Sequence, residues 1–273
     1  MEKKFEKNTF KQRLQSMLVV DLRRMFTMKL VYILLGISLV VPILILVMVT
    51  MMDGTVSVNP QTGVETVMEG FDNVWQIFGA VSSSGSANSD MAGMDMSITS
   101  MCNINMMYFA VAVLVCIFVA DDFRSGYAKN LFTVRAKKSD YVISKTVVCF
   151  IGGAAMIFAF AIGSLIGGKV AGLPFTMEGF NAGNMFACVL AKGSLVLIFV
   201  PIYLLMSVIA KQKLWLSLLL SLGVGMFLFN IAPMVSPLDS TFLHVVFSLL
   251  GGGLFGLGFG AISNQVLKKT SLV

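Results

Sequence analysis

The sequence predicts an all-α polytopic membrane protein, and three observations carry that prediction. Charged residues make up only 12% of the 273-residue chain, about half of what coats an average soluble domain. Hydrophobic residues make up 57%, and the mean hydropathy is +0.87. The apolar residues are also gathered into six runs, about 30–52, 103–120, 146–168, 185–210, 214–231 and 241–266. Each is long enough to cross ~30 Å of hydrocarbon, which takes ~20 residues. The only Lys, Arg, Asp, Glu or His inside these runs are Lys192 and His244. The first run is too long and starts too late for a cleaved leader.

Residues 1–29 precede the first span. Phe10, Leu14, Met17, Leu18, Leu22 and Met25 recur at helical spacing, with Gln12, Arg13, Ser16, Arg23 and Arg24 on the other side. This pattern predicts an amphipathic elbow helix lying in the membrane interface, where its basic residues can meet anionic lipid headgroups.

Basic residues set the orientation. Eight Lys and Arg fall in residues 1–29, six in 121–145, two in 211–213 and two at 268–269, which makes 18 of 20. These segments alternate with connections holding only Lys169, so the positive-inside rule puts them, and both termini, in the cytoplasm. The loop 53–101 has six acids and no Lys or Arg, and is expected outside. Within it, residues 67–81 predict a short helix with an aromatic face (Phe71, Trp75, Phe78). Residues 82–89 read as a flexible Ser-rich linker.

Pro42 and Pro201 are expected to kink spans one and four. Pro233 and Pro237 make a kinked or partly re-entrant hairpin plausible between the last two spans. Gly252, Gly256 and Gly260 form a small-residue stripe on the last span, read as a helix-packing face. The main transmembrane unit is 30–268, with 269–273 a cytoplasmic tail.

Catalytic patterns are sparse. The single His, His244, has no nearby Asp, Glu or Cys, and HExxH and GxSxG are missing. The predicted spans contain no carboxylate, which argues against proton coupling. The Gly163–Lys169 segment matches GxxxxGK but lacks the following Ser or Thr and follows an apolar helix instead of a strand, so it is not read as a nucleotide site. Lys192 is expected to snorkel to the outer interface; the other reading has it line a polar pathway. Met91, Met94 and Met96 are weak candidates for soft-metal ligands, with packing filler the favoured reading. Four cysteines show no CxxC; whether Cys102 and Cys188 pair is open.

The strongest signal is a charged island, 121–145, with nine charged residues between two runs that hold none. Asp121 and Asp122 end the second span, where negative charge opposes the helix dipole. Compensation is expected from Arg124, from the basic elbow helix or from a partner protein. Ser125-Gly126 breaks the helix. Residues 127–134 restart as a short one with Tyr127, Leu131 and Val134 on one face. Arg135, Lys137 and Lys138 form a basic turn, and Ser139 or Asp140 is expected to cap the third span.

Phe118-Val-Ala-Asp-Asp-Phe-Arg-Ser-Gly126, followed by Lys137-Lys-Ser-Asp-Tyr-Val-Ile-Ser-Lys145, resembles the corresponding segment of the membrane subunits of type-2 ABC exporters. The elbow helix, the six spans and the large loop after the first span are similar to that family in layout. Tyr127 stands where the family often has Thr. The resemblance implies a permease without enzymatic activity of its own, in a bacterial plasma membrane. It implies a second permease copy or homologue, and two ATP-binding subunits that hold ATP and Mg²⁺. Asp121, Asp122, Arg124, Gly126, Tyr127, Lys129, Leu131, Phe132, Lys137 and Lys145 are then expected to couple to those subunits, and this chain binds no cofactor and no nucleic acid. The cargo implied is hydrophobic, amphipathic or peptide-like. A membrane sensor or scaffold, or a copper-related protein using the Met-rich outer loop, is the alternative.

Overall fold

A computed structural model describes residues 10–58, 65–67, 70–79, 102–134, 137–210 and 213–269. Among the described residues there are eight α-helices. Helix α1 is Phe10–Thr27, and α2, Lys29–Met52, follows after Met28, whose extended backbone (φ −75°, ψ 122°) turns the chain. Then come α3 (Met107–Arg124), α4 (Tyr127–Val134), α5 (Lys138–Ala171), α6 (Ala182–Ala210), α7 (Leu214–Val235) and α8 (Phe242–Lys269). Six of them, α2, α3, α5, α6, α7 and α8, are long and apolar enough to cross a membrane. The chain is an all-α polytopic membrane protein.

Helix α6 is the most enclosed of the six, with 78% of its apolar window buried, whereas α7 and α8 bury only 17% of theirs. The core therefore lies around α6, and α3 and α5 pack beside it. Glycines set several of the close approaches. A Cβ on Gly163 of α5 would lie 2.1 Å from the Leu39 carbonyl oxygen of α2, and one on Gly167 would lie 2.7 Å from Ile43 Cα. The glycines of the GxxxxGK segment thus sit in a helix and seat α5 on α2. On α8, Gly252 meets Leu197 of α6, with Gly256 near Pro201, so the small-residue stripe is used for packing within the chain.

Several elements differ from the sequence reading. Helix α5 begins at Lys138, ahead of the apolar run 146–168 and just before the expected cap positions Ser139 and Asp140, and its polar residues Lys138, Asp140, Ser144 and Lys145 find partners inside the protein. Pro42 and Pro201 lie inside the helices α2 and α6, and α7 continues through Pro233 to Val235 before a short turn leads into α8. In the loop after α2, Val56–Val58 (β1) pairs antiparallel with Glu65–Val67 (β2). The helix expected over 67–81 shrinks to a 3₁₀ turn, Val74–Phe78. Asn73 caps that turn, its side chain accepting from the Trp75 amide at 3.0 Å. Strand pairing takes the residues up to Val67, and an extended Asn73 fixes where the turn can start. Ser82–Ser89 and the tail 270–273 lie outside the described residues.

Candidate functional site

The island folds as a helix–turn–helix at one end of the bundle. Helix α3 carries Asp121 and Asp122 in its last turn, and the Ser125 hydroxyl donates to the Asp121 carbonyl. Gly126 then adopts φ +75°, a left-handed conformation that costs a side-chain-bearing residue energy even though open space surrounds it here. That turn releases α4 across the end of the bundle. Ala128 is fully buried, Leu131 and Phe132 pack against the core, and Phe132 meets Tyr141 edge-on at 5.3 Å. Lys129, Asn130 and Thr133 face away and are exposed. Val134 belongs to the helix, but its side chain and Arg135 lie outside the described residues.

Behind α4 lies a buried charge cluster. Lys145 of α5 has no exposed surface, and its Nζ lies 2.9 Å from Asp21 Oδ1 and 2.7 Å from Asp122 Oδ2. Asp21 is likewise buried and accepts from the Ser144 hydroxyl at 2.6 Å. Asp122 accepts from Arg24 Nη1 at 2.6 Å and from the Tyr141 hydroxyl at 2.9 Å. Arg24 also reaches Asp121 at 3.3 Å and lies over the Tyr127 ring at 4.0 Å. Phe118 presents its face to Lys145 Nζ at 3.8 Å. Two buried carboxylates and a buried ammonium, with a half-buried guanidinium at their edge, therefore neutralise one another, the condition under which buried ions are tolerated. Burial alone pulls the Arg24 guanidinium down, and Asp122 more than offsets this, so its pKa is raised and its charge is secure. Burial, with Asp21 nearby, also pushes the Tyr127 phenol up, which keeps it neutral.

This cluster joins α1, α3, α4 and α5 at one point. Compensation of the two aspartates comes from Arg24 of the elbow helix and, for Asp122, also from Lys145, whereas the Arg124 side chain is exposed. Neither Ser139 nor Asp140 caps α5. The N-cap is Lys137, without a side-chain bond, and Asp140 pairs with Arg13 at 3.1 Å. A second residue of the elbow, beyond Arg24, thus fixes where α5 begins.

The ten candidate coupling residues divide into three sets. Asp121, Arg124, Lys129 and Lys137 are exposed. Gly126, Tyr127, Leu131 and Phe132 form the turn and the inner side of α4. Asp122 and Lys145 are fully buried behind α4, where their ion pairs with Arg24 and Asp21 tie the elbow to α3 and α5. Sequence reasoning passed over Asp21. Its signal was present: an acid at four-residue spacing between Met17 and Met25, in the middle of the buried stripe.

Lys192 does not snorkel. It is fully buried, and its Nζ donates to the Ser236 carbonyl at 2.9 Å, to Ser236 Oγ at 3.2 Å and to Asn105 Oδ1 at 3.2 Å. Three oxygens from two other elements hold the ammonium inside the protein, so it need not reach for water. Cys102 and Cys188 are free thiols. Met91, Met94 and Met96 lie outside the described residues.

Six apolar helices, with an elbow helix locked by charge to a short helix across one end, define a multi-pass membrane protein with a structured, polar end. The ABC-2 family transporter model matches residues 22–230, which runs from the end of the elbow helix into α7. The chain belongs to the ABC-2 transporter family. No curated protein and no solved structure matched it.

Proposed function

We propose that this chain is the permease subunit of an ATP-driven ABC exporter, and that α4 is where a separate ATP-binding subunit docks. The observation that supports this best is the build of α4. Its inner side is anchored by Ala128, Leu131 and Phe132, while Lys129, Asn130 and Thr133 stay outward at the end of two long helices. A partner pushing on α4 moves the ends of α3 and α5 together, and the elbow follows through Arg24 and Asp21. ATP and Mg²⁺ belong to the partner in this reading, because the glycines of the chain's GxxxxGK segment are packed against α2 and Val74 and leave no phosphate cradle. Two copies, or a copy and a homologue, pair in the plasma membrane of a bacterial cell with α4 and both termini in the cytoplasm. The cargo is hydrophobic, amphipathic or peptide-like and moves outward.

Co-purification tests it. Tagged chain is expressed with each ATP-binding subunit encoded beside it, and the ATPase rate of the complex is measured. Wild-type chain retains one such subunit, and the double charge reversal Arg124→Glu with Lys129→Glu releases it while the chain stays folded. Retention of the ATPase by that variant, or failure of every candidate to co-purify with the wild-type chain, defeats the assignment.

A further inference from the structure

A cavity of about 310 Å³ lies between α5 and α6, under the 3₁₀ turn Val74–Phe78. Its walls are hydrocarbon and aromatic: Phe158 and Leu165 from α5, Met185 and Phe186 from α6, Trp75 and Phe78 from the turn above. The roof is fixed. Trp75 Nε1 donates to the Phe175 carbonyl at 2.7 Å, and a Cβ on Gly168 would lie 2.1 Å from Val74 Cγ2, so the turn is seated on α5 without slack. Small side chains, Ala161 and Ala182, leave the space beneath it.

The mouth opens sideways. Phe158 is 39% exposed, Ile162 53% and Phe186 58%, on the outside of a helix bundle whose surroundings are lipid. At 1.5 Å per residue, Phe158 and Leu165 lie ~20 Å and ~30 Å along α5 from Lys145. With Lys145 at the charged end and hydrocarbon ~30 Å thick, the cavity sits in the half of the bilayer away from the island. In that position the molecules present at highest concentration are acyl chains, and nothing in the wall asks for a polar partner. The volume is near the lower bound for ligand cavities, ~300 Å³, which suits one chain and not a whole lipid.

We infer that this cavity is an acyl-chain site, filled from the far leaflet by one tail of a membrane phospholipid whose headgroup stays at the interface beside Trp75. The inference requires only that the six helices span the bilayer and does not depend on the exporter assignment. A second copy of the chain is the weaker occupant, because α7 and α8 offer it broader and far more exposed faces.

The test uses full-length protein in nanodiscs of phosphatidylcholine carrying a diazirine at mid-chain, irradiated and mapped by peptide mass spectrometry. Adducts are expected to concentrate on 158–165 and 182–189, several-fold above the lipid-exposed residues Leu219, Phe227 and Leu254. Ala161→Trp fills the cavity and is expected to lower these adducts to that background, with thermal unfolding and elution unchanged. If Ala161→Trp does not fold, Ala182→Phe serves the same purpose. Equal labelling of the cavity and of α7 and α8 overturns the inference, since the lipid is then ordinary solvent. So does a disulfide between two Ile162→Cys chains, which puts a second copy there. A rise in labelling on deleting residues 80–101 also overturns it, by identifying the chain's own segment as the occupant.

Discussion

Lys145 has no exposed surface, yet it holds two carboxylates, one of them 124 residues away in sequence. Removing it leaves Asp21 with only the Ser144 hydroxyl and Asp122 with Arg24 and Tyr141. Loss of one partner from a buried ionic group costs ~3–5 kcal/mol, so Lys145→Met is expected to lower the unfolding temperature sharply. Lys145→Met combined with Asp21→Leu should cost less than the sum of the two, because no orphaned carboxylate then remains at position 21; a coupling of ~0.5–3 kcal/mol fits contacting residues. Thermal unfolding of the purified variants measures both, and strict additivity would show that the two side chains do not interact. At Lys192 the loss is of hydrogen bonds to Asn105 and Ser236. Lys192→Met is expected to cost ~1–3 kcal/mol through acceptors left unpaired, whereas a lysine reaching the interface would lose almost nothing. Gly126→Ala forces φ +75° on a residue with a Cβ and is expected to cost ~1–2 kcal/mol, with Gly126→Asn milder. Equal stability of the glycine and alanine proteins would mean the turn is not left-handed.

At the scale of elements, α4 and the elbow helix were both legible in the sequence, and for different reasons. The elbow announced itself by periodicity: Met17 and Met25 face inward as expected. Helix α4 announced itself by punctuation, a Ser-Gly break and then a short apolar face before a basic turn. What periodicity did not carry was the meaning of Asp21, since a single acid in an apolar stripe reads as a defect until its partner is known. The same limit applies to Gly163. As part of GxxxxGK it imitates a phosphate loop, but its actual constraint is the Leu39 carbonyl on α2. Gly163→Val should separate α2 from α5 and destabilise by ~1–3 kcal/mol, as overpacking does. A melting curve superimposable on the wild type would remove that packing role.

At the scale of the whole molecule, one end carries the buried ionic cluster while the spanning helices present apolar faces outward. The two helices with the least burial, α7 and α8, leave broad faces open, which suits the paired permease proposed above. If two copies pair there, Phe227→Cys or Leu254→Cys chains in native membranes form cross-linked dimers, while a cysteine at the enclosed Val196 stays monomeric. The ionic joint near α4 ties the elbow, α3 and α5 together through side-chain ion pairs, the link that the proposed coupling would use. Neutralising Arg24 with Arg24→Ala is therefore expected to reduce ATP-driven transport more than it reduces binding of the ATPase. Unchanged transport at normal subunit retention would disconnect the elbow from coupling.

The sequence by itself determined the solvent, the six apolar helices, the elbow and the position of the charged turn. Those follow from composition and from patterns that repeat within a single element. Only the tertiary structure decided which charges meet. Asp21, Asp122 and Lys145 lie on three different helices, and their ion pairs exist because folding packs those helices so that the charged side-chain atoms meet within 3 Å. Lys192 was misjudged for the same reason. A lone lysine in an apolar run looks bound for water until the carbonyl of Ser236 and the amide of Asn105 are brought in from other elements to receive it.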